Sequence, residues 1–400
     1  MKILAINSLP YGSTGNIMNQ ILRCAQEEYG YEVESYYGKW YKDASNTYRF
    51  SHCYGYYIEN RISAIISSVT GFHNIGSVFG TFQLIRRIKT FSPDVIHLHN
   101  LHLWTVNLPI LFRFLKKSSV KVIWTLHDCW SFTGQCPHFT IAKCEKWKTG
   151  CHKCSQYKEY PSTFFDNTRT MWKLKKKWFS NLNNLTIITP SQWLASLVRE
   201  SYLREYPLLV INNGINLNIF THTDSNIKEK YGIKNHMVLG VAFDWGYKKG
   251  LDVFVKLAMM LSEDYQIVLV GTSEKIDKQL PKNIISIHRT ENQMELAKIY
   301  TAADVFVNAT RQENYPTVNM ESIACGTPVV TFRTGGSPEI LNEHTGYVVD
   351  VDDVDMLAKR IISVCDQTNE YSDACHAASR SFDMNERFRE YVKLFREDIK

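Results

Sequence analysis

The stretch that decides the reading runs Glu313-Asn314-Tyr315-Pro316-Thr317-Val318-Asn319-Met320-Glu321 and resumes as Gly326-Thr327-Pro328-Val329-Val330. It follows an apolar run, Asp304–Ala309, whose length and β-branched content suit a strand buried on both faces. Pro316 fits the first turn of a helix, where a missing N–H does no harm, and Gly326 fits its C-terminal stop. The segment therefore reads strand, loop, helix, strand. Glu313 falls in the loop at the carboxyl end of the strand, and Glu321 on the second turn of the helix. Open α/β sheets bind ligands at that edge. Two carboxylates there accept hydrogen bonds from vicinal hydroxyls, as in a sugar or ribose. The amides of Thr317 and Val318, at the helix N-terminus, favour an anion.

The same rhythm extends in both directions. Strand-like runs recur at Lys2–Asn7, Asp94–His99, Val120–Leu126 and Leu185–Pro190 in the first half. They recur at Leu208–Asn212, Met237–Phe243, Gln266–Gly271, Ile284–His288, Pro328–Phe332 and Gly346–Val349 in the second. Amphipathic helical patterns lie between them, which predicts parallel sheets in βαβ units, an α/β protein. There are more strands than one doubly wound sheet comfortably holds, so two Rossmann-like domains are expected. The boundary is expected near Arg204–Pro207, after the helix Gln192–Glu200 and before the strand that opens the second half. This gives domains at 1–205 and 206–378, with a cysteine-rich insert at 136–154. A tail helix at 379–400 is expected to pack back toward the N-terminal domain.

Composition narrows the class. With 44% hydrophobic and 22% charged residues the 400-residue chain is globular, and ten cysteines are too few for a disulfide-stapled scaffold. No apolar run reaches the roughly 18 residues of a membrane span, and the N-terminus turns polar too early for a signal peptide. The expectation is a cytoplasmic, soluble, multidomain protein. A formal charge of +6, with 46 bases against 40 acids, supplies no basic stripe for nucleic acid.

The first strand enters Pro10-Tyr11-Gly12-Ser13-Thr14-Gly15-Asn16. Gly12 and Gly15 let the backbone turn and approach a ligand, and Ser13 or Thr14 is placed to cap the next helix. The Gly-x-x-Gly spacing departs from the GxGxxG of dinucleotide sites, so NAD is disfavoured.

Taken together, Glu-x7-Glu, Ala-Cys-Gly-Thr-Pro-Val-Val and Gly335-Gly336-Ser337-Pro338-Glu339 resemble the donor half of family 4 retaining glycosyltransferases of the GT-B fold. Val95-Ile96-His97-Leu98-His99-Asn100, Thr125-Leu126-His127-Asp128-Cys129-Trp130, Asn213-Gly214-Ile215-Asn216 and Lys249-Gly250 agree. The resemblance spans the chain and is strongest to bacterial enzymes of capsule, exopolysaccharide and O-antigen synthesis. It implies two Rossmann-like domains facing across a cleft, a nucleoside-diphosphate sugar donor and no catalytic metal. Glu321 is then expected on the ribose hydroxyls, Glu313 on the transferred sugar, and Gly12, Gly15, Asn314, Thr317 and Val318 around the donor diphosphate. Lys249, with Lys248 beside it, matches the phosphate-binding lysine, and His127 faces donor sugar and acceptor. The family's usual arginine before that lysine is absent from Leu239-Gly240-Val241-Ala242-Phe243-Asp244-Trp245.

Three further signals stand apart. Cys136, Cys144, Cys151 and Cys154, spaced C-x7-C-x6-C-x2-C, suit a structural zinc site or packed free thiols. His97, His99 and His102 suit packing or acceptor contact better than a metal. Phe164-Phe165 and the lysine–aromatic segment Met171–Phe179 suit either a leaflet-binding helix or a solvated helix with a buried aromatic face. The reading is a transferase acting on a saccharide acceptor, expected to be lipid-linked, at the inner leaflet of the plasma membrane. A nucleotide-sugar epimerase and a zinc-containing nucleic-acid-binding module are the alternatives.

Overall fold

The computed structural model describes residues 1–38 and 48–397; the last three residues of the expected 379–400 tail lie outside them. Two compact units result, Met1–Ile211 joined by the chain from Phe388 on, and Asn212–Arg387.

The first unit contains β1 (Lys2–Asn7), α1 (Gly12–Tyr29), β2 (Glu32–Gly38), β3 (Ser51–Tyr54), α2 (Tyr57–Thr70), α3 (Val78–Phe91) and β4 (Val95–Leu98). It continues with α4 (Leu108–Leu115), β5 (Lys121–Thr125), α5 (Thr168–Phe179), β6 (Leu185–Thr189), α6 (Gln192–Glu200) and β7 (Leu208–Val210). Its strands form one parallel sheet in the order β3-β2-β1-β4-β5-β6-β7. Strands β1, β4, β5 and β6 are buried along nearly their whole length, as parallel strands covered on both faces must be.

The second unit follows as α7 (Ile227–Lys230), β8 (His236–Val241), α8 (Leu251–Met260), β9 (Tyr265–Val270), α9 (Glu274–Asp277), β10 (Ile284–Ile287) and α10 (Gln293–Ala302). Then come β11 (Val305–Asn308), α11 (Thr317–Ala324), β12 (Val329–Phe332), β13 (Gly346–Val349), α12 (Val354–Cys365), α13 (Thr368–Ser379) and α14 (Met384–Arg396). Its parallel sheet runs β10-β9-β8-β11-β12-β13. Both sheets are doubly wound around one reversal of strand order, between β1 and β4 in the first and between β8 and β11 in the second.

The structure corrects two expectations and decides between the two alternatives left open for α5. The run at Leu208, placed in the second half by sequence, pairs as β7 with β6 and closes the first sheet, so the first unit extends to Ile211. Helix α5 buries its aromatic side: Met171, Trp172 and Phe179 face the core, so this face is not available to a leaflet. Lys175 is buried with them, its ammonium 3.7 Å from the Trp130 ring centroid and bonded to the Trp130 carbonyl, and desolvation lowers its pKa to about 7. Finally, α1 begins at Gly12 with Tyr11 as its N-cap, so Ser13 and Thr14 lie inside the helix and do not cap it.

The tail leaves the second unit within α14. Its last turns join the first unit, where Tyr391 and Phe395 pack on the His97 ring and Arg389 pairs with Glu28 at 2.7 Å.

Candidate active site

In the first unit the reversal of strand order brings together the loops after β1 and β4. Asn7 ties them by accepting the Asn100 amide on Oδ1 at 3.0 Å, while the Ser8 amide donates to the Asn100 carbonyl at 2.8 Å. Gly12 takes a φ of 74°, which favours glycine. At Gly15 a Cβ would stand 2.6 Å from the Pro10 carbonyl carbon, so only glycine lets α1 start so close to the loop.

Beside this loop, the ends of β4 and β5 hold a histidine cluster. His97 and His99 share one face of β4, with ring centroids 4.1 Å apart. His97 Nε2 meets Thr125 Oγ1 at 2.8 Å, and His99 Nδ1 meets His127 Nε2 at 3.0 Å. Burial lowers all three, His97 to about 3 and His127 to about 4, so His127 is neutral at pH 7. His99 Nε2 is buried with no partner, and an orphaned lone pair costs less than an orphaned N–H. His99 is therefore best protonated on Nδ1, donating to His127 Nε2, which assigns the remaining proton of His127 to Nδ1 as a donor. Asp128 turns away to His102 at 3.2 Å and accepts the Trp130 amide at 2.8 Å.

The second unit builds its site at the other reversal. Lys249, in the turn after β8, bonds Glu313, in the loop after β11, at 2.9 Å. Glu313 Oε1 also accepts the Asn314 amide at 3.1 Å. The Gly335–Gly336 turn lies on this loop: Gly336 donates to the Asn314 carbonyl at 2.6 Å, and a Cβ on Gly335 would fall 2.0 Å from the Glu313 carbonyl oxygen. Asn308 on β11 donates to Asn319 on α11 at 2.8 Å, fixing the helix whose first turn carries Thr317 and Val318. Pro316 serves as its N-cap.

Glu321, on the second turn, receives the Tyr300 hydroxyl at 3.3 Å. Desolvation raises its pKa to about 7, against the lowering effect of hydrogen bonds from Thr317 and Tyr300. Tyr300, fully buried on α10, was not legible as a site residue. The exposed Lys248 contributes its carbonyl to Thr310 and Arg311. Arg311, held by Asp252 and Asp352, is a strut of this loop.

Within the insert, Cys136, Cys144, Cys151 and Cys154 line one small cavity, and Cys151 Sγ accepts the Gly134 amide at 3.2 Å. Burial pushes the Cys136 thiol up to about 12 and that of Cys151 to about 11. Among the described residues no three His, Cys, Asp or Glu side chains form a group that holds a metal as they stand.

Residues 22–219 match the family Glycosyltransferase Family 4, and residues 224–382 match Glycosyl transferases group 1. WcaC of Escherichia coli strain K12, named as a colanic acid biosynthesis glycosyl transferase, is 30% identical over 289 residues, 69% of each chain. Among solved structures, sucrose-phosphate synthase from Thermosynechococcus elongatus superposes with a TM-score of 0.73 at 16% identity, covering 99% of this chain and 98% of that one. HepE of Anabaena in complex with UDP-glucose does so with a TM-score of 0.63 at 15% identity, covering 98% and 100%. These likenesses carry the GT-B fold. The matched families are transferases, which favours neither the epimerase nor the nucleic-acid-binding reading. These matches are to enzymes, and the chain belongs to glycosyltransferase family 4.

Proposed function

We propose that this glycosyltransferase moves a sugar from a nucleoside-diphosphate sugar to a saccharide acceptor, with retention at the anomeric carbon, in the assembly of a bacterial surface polysaccharide. The observation that carries the reading is the Lys249–Glu313 pair at 2.9 Å, set beside the α11 N-terminus at the strand-order reversal. An arriving diphosphate competes for Lys249, and Glu313 is then released to accept hydroxyls of the sugar. In the second unit Lys248, Asn314 and the Thr317 and Val318 amides complete the diphosphate's surroundings, and Glu321 takes the ribose hydroxyls; in the first, the family resemblance gives Gly12 and Gly15 a diphosphate-binding role. This neutralises the leaving group without a catalytic metal.

Retention follows from front-face departure and attack through an oxocarbenium-like state, the leaving phosphate taking the acceptor proton. His127, neutral and with a proton to donate, positions sugar and acceptor. The acceptor is a lipid-linked saccharide, which places the work at the inner leaflet of the plasma membrane. Four thiols lining one cavity also supply the donors for a structural zinc ion, which would add folding free energy to the insert and no chemistry.

A donor screen scoring released nucleotide, followed by proton NMR of the product, tests the assignment. The expected product from an α-linked donor is α-linked, formed equally in EDTA. A β-linked product, or rapid reversible loss of activity in EDTA, overturns it.

A further inference from the structure

Helix α2 is inside out. Ile58, Ile62, Ile65, Ile66 and Val69 fall within an arc of about 100° at 3.6 residues per turn, and all are exposed, Ile58 to 72% and Ile65 to 62%. The opposite side, which faces the protein, carries Asn60, Ser63 and Ser67, all buried. A helix on a globular surface has the reverse arrangement.

The inward contacts explain how this orientation is held. Asn60 Oδ1 accepts from Ser77 at 2.8 Å, and Ser67 donates to the Phe72 carbonyl at 2.8 Å. The Glu59 carboxylate takes the Phe79 and Gly80 amides at the start of α3, at 2.8 and 3.0 Å. Gly76 lies so close to Ser63 that an added Cβ would stand 2.3 Å from its hydroxyl. Asn60, Ser67 and Glu59 thus tie this side to the protein, and the isoleucine stripe is held outward.

Two neighbouring segments extend the apolar surface. Phe79 and Phe82 project from α3, Phe79 with 72% of its surface exposed. Phe164 and Phe165 project from the loop before α5, Phe164 with 73% exposed; this loop is bonded to the end of α2 through the Phe164 amide and the Ser68 carbonyl at 2.8 Å. Contiguous exposed apolar surface of this kind marks an interaction site.

Charge identifies what covers it. Across residues 55–92 and 155–180, which carry the patch and its borders, there are nine exposed Lys and Arg, the buried Lys175 aside, against three Asp and Glu, whereas the whole chain is nearly balanced at 46 to 40. On α3 the exposed face runs Phe79, Phe82, Arg86, Lys89, and on α5 Arg169 and Lys173 are exposed just beyond the phenylalanines. A second copy docked on this face would oppose one basic border to another. An anionic bilayer offers apolar depth to the isoleucines and phenylalanines and negative headgroups to their border.

We propose that the face formed by α2, the start of α3 and the Phe164–Phe165 loop seats the first unit on an anionic membrane surface. The inference stands on this surface alone and is independent of the donor and acceptor assigned above.

Flotation of the full chain with vesicles of 70% phosphatidylcholine and 30% phosphatidylglycerol tests it. Wild type should float with these vesicles, less with pure phosphatidylcholine, and less again at 0.5 M salt. Ile62→Glu/Ile66→Glu should lower the partition coefficient about tenfold or more, and so should Phe79→Ser/Phe164→Ser. Both variants alter exposed positions, so unchanged thermal unfolding and UDP-glucose affinity would show the fold and donor site intact. Failure of wild type to float overturns the proposal. So does retention of vesicle binding in both variants. A dimer by light scattering that the variants abolish, with no vesicle binding, assigns the face to a second copy instead.

Discussion

If Glu321 takes the ribose hydroxyls as proposed, donor binding should depend on pH. In the free chain its carboxyl is protonated below about pH 7. Ribose hydroxyls that donate to it favour the ionised form, so binding releases a proton and affinity rises with pH until Glu321 is ionised without help. With a pKa of about 7 in the free chain and a bound value near that of an ordinary carboxyl, affinity should rise up to about 30-fold, or about 2 kcal/mol, between pH 5.5 and pH 8. The linkage has a counterpart in stability. Because the folded chain raises this pKa, stability from Glu321 is fully present below about pH 4.5 and is lost as pH rises through about 7. Isothermal calorimetry with the nucleoside-diphosphate sugar that the donor screen selects, whose diphosphate diester does not titrate in this range, reads both the affinity and the proton released. In Glu321→Gln the slope should vanish, and affinity at pH 8 should fall by about 1.5–3 kcal/mol, as expected for a lost charge-assisted hydrogen bond. A flat pH profile in wild type, or the same slope in the variant, would refute the assignment of Glu321 to the ribose.

Glu313→Ala should lower turnover with the sugar nucleotide while sparing affinity for the bare nucleoside diphosphate, and calorimetry beside a nucleotide-release assay separates the two. If the neutral imidazole of His127 positions the reactants as proposed, His127→Ala should slow transfer by about 10²-fold with donor affinity little changed; a change confined to donor affinity would argue against that role. Gly15→Ala forces a Cβ to within 2.6 Å of the Pro10 carbonyl carbon, and a loss of about 1–3 kcal/mol should appear as a lower Tm. Elemental analysis of protein purified without added metal should give about one zinc per chain; none, with all four insert thiols titratable in the folded state, leaves packed thiols as the explanation.

The sequence made the central strands plain because strands covered on both faces, such as Val95–Leu98 and Val305–Asn308, are apolar throughout. Their place along the chain put Glu313 at the carboxyl end of a strand, and the family resemblance singled out Lys249; the order of strands in each sheet, and so the two reversals, is visible only in the structure. Edge elements were harder. Strand β3, Ser-His-Cys-Tyr, carries no buried run, and Leu208–Val210 reads the same whichever sheet it joins, since strand pairing is set by distant residues. Which face of a helix turns inward was also hidden. In α5 the lysine that looked solvent-bound, Lys175, lies under Trp130. In α2 the isoleucines and the serines have the same helical period, and only the contacts of Asn60, Ser67 and Glu59 decide which set faces the protein. Tyr300 left no local trace because its hydroxyl reaches Glu321 from another helix.

The return of the tail into the first unit has a consequence for synthesis. A ribosome releases the chain from its N-terminus, and Met1–Ile211 emerges long before Phe388 does. Until then the His97 ring lacks Tyr391 and Phe395, Glu28 lacks Arg389, and the Lys121 ammonium lacks the Leu394 and Glu397 carbonyls that receive it. The half made first is therefore finished last, and its sheet waits, incompletely covered beneath the histidine cluster, while the other half is made. A protease cut between Phe388 and Glu397 would injure the first unit, made long before, and leave Asn212–Arg387 whole.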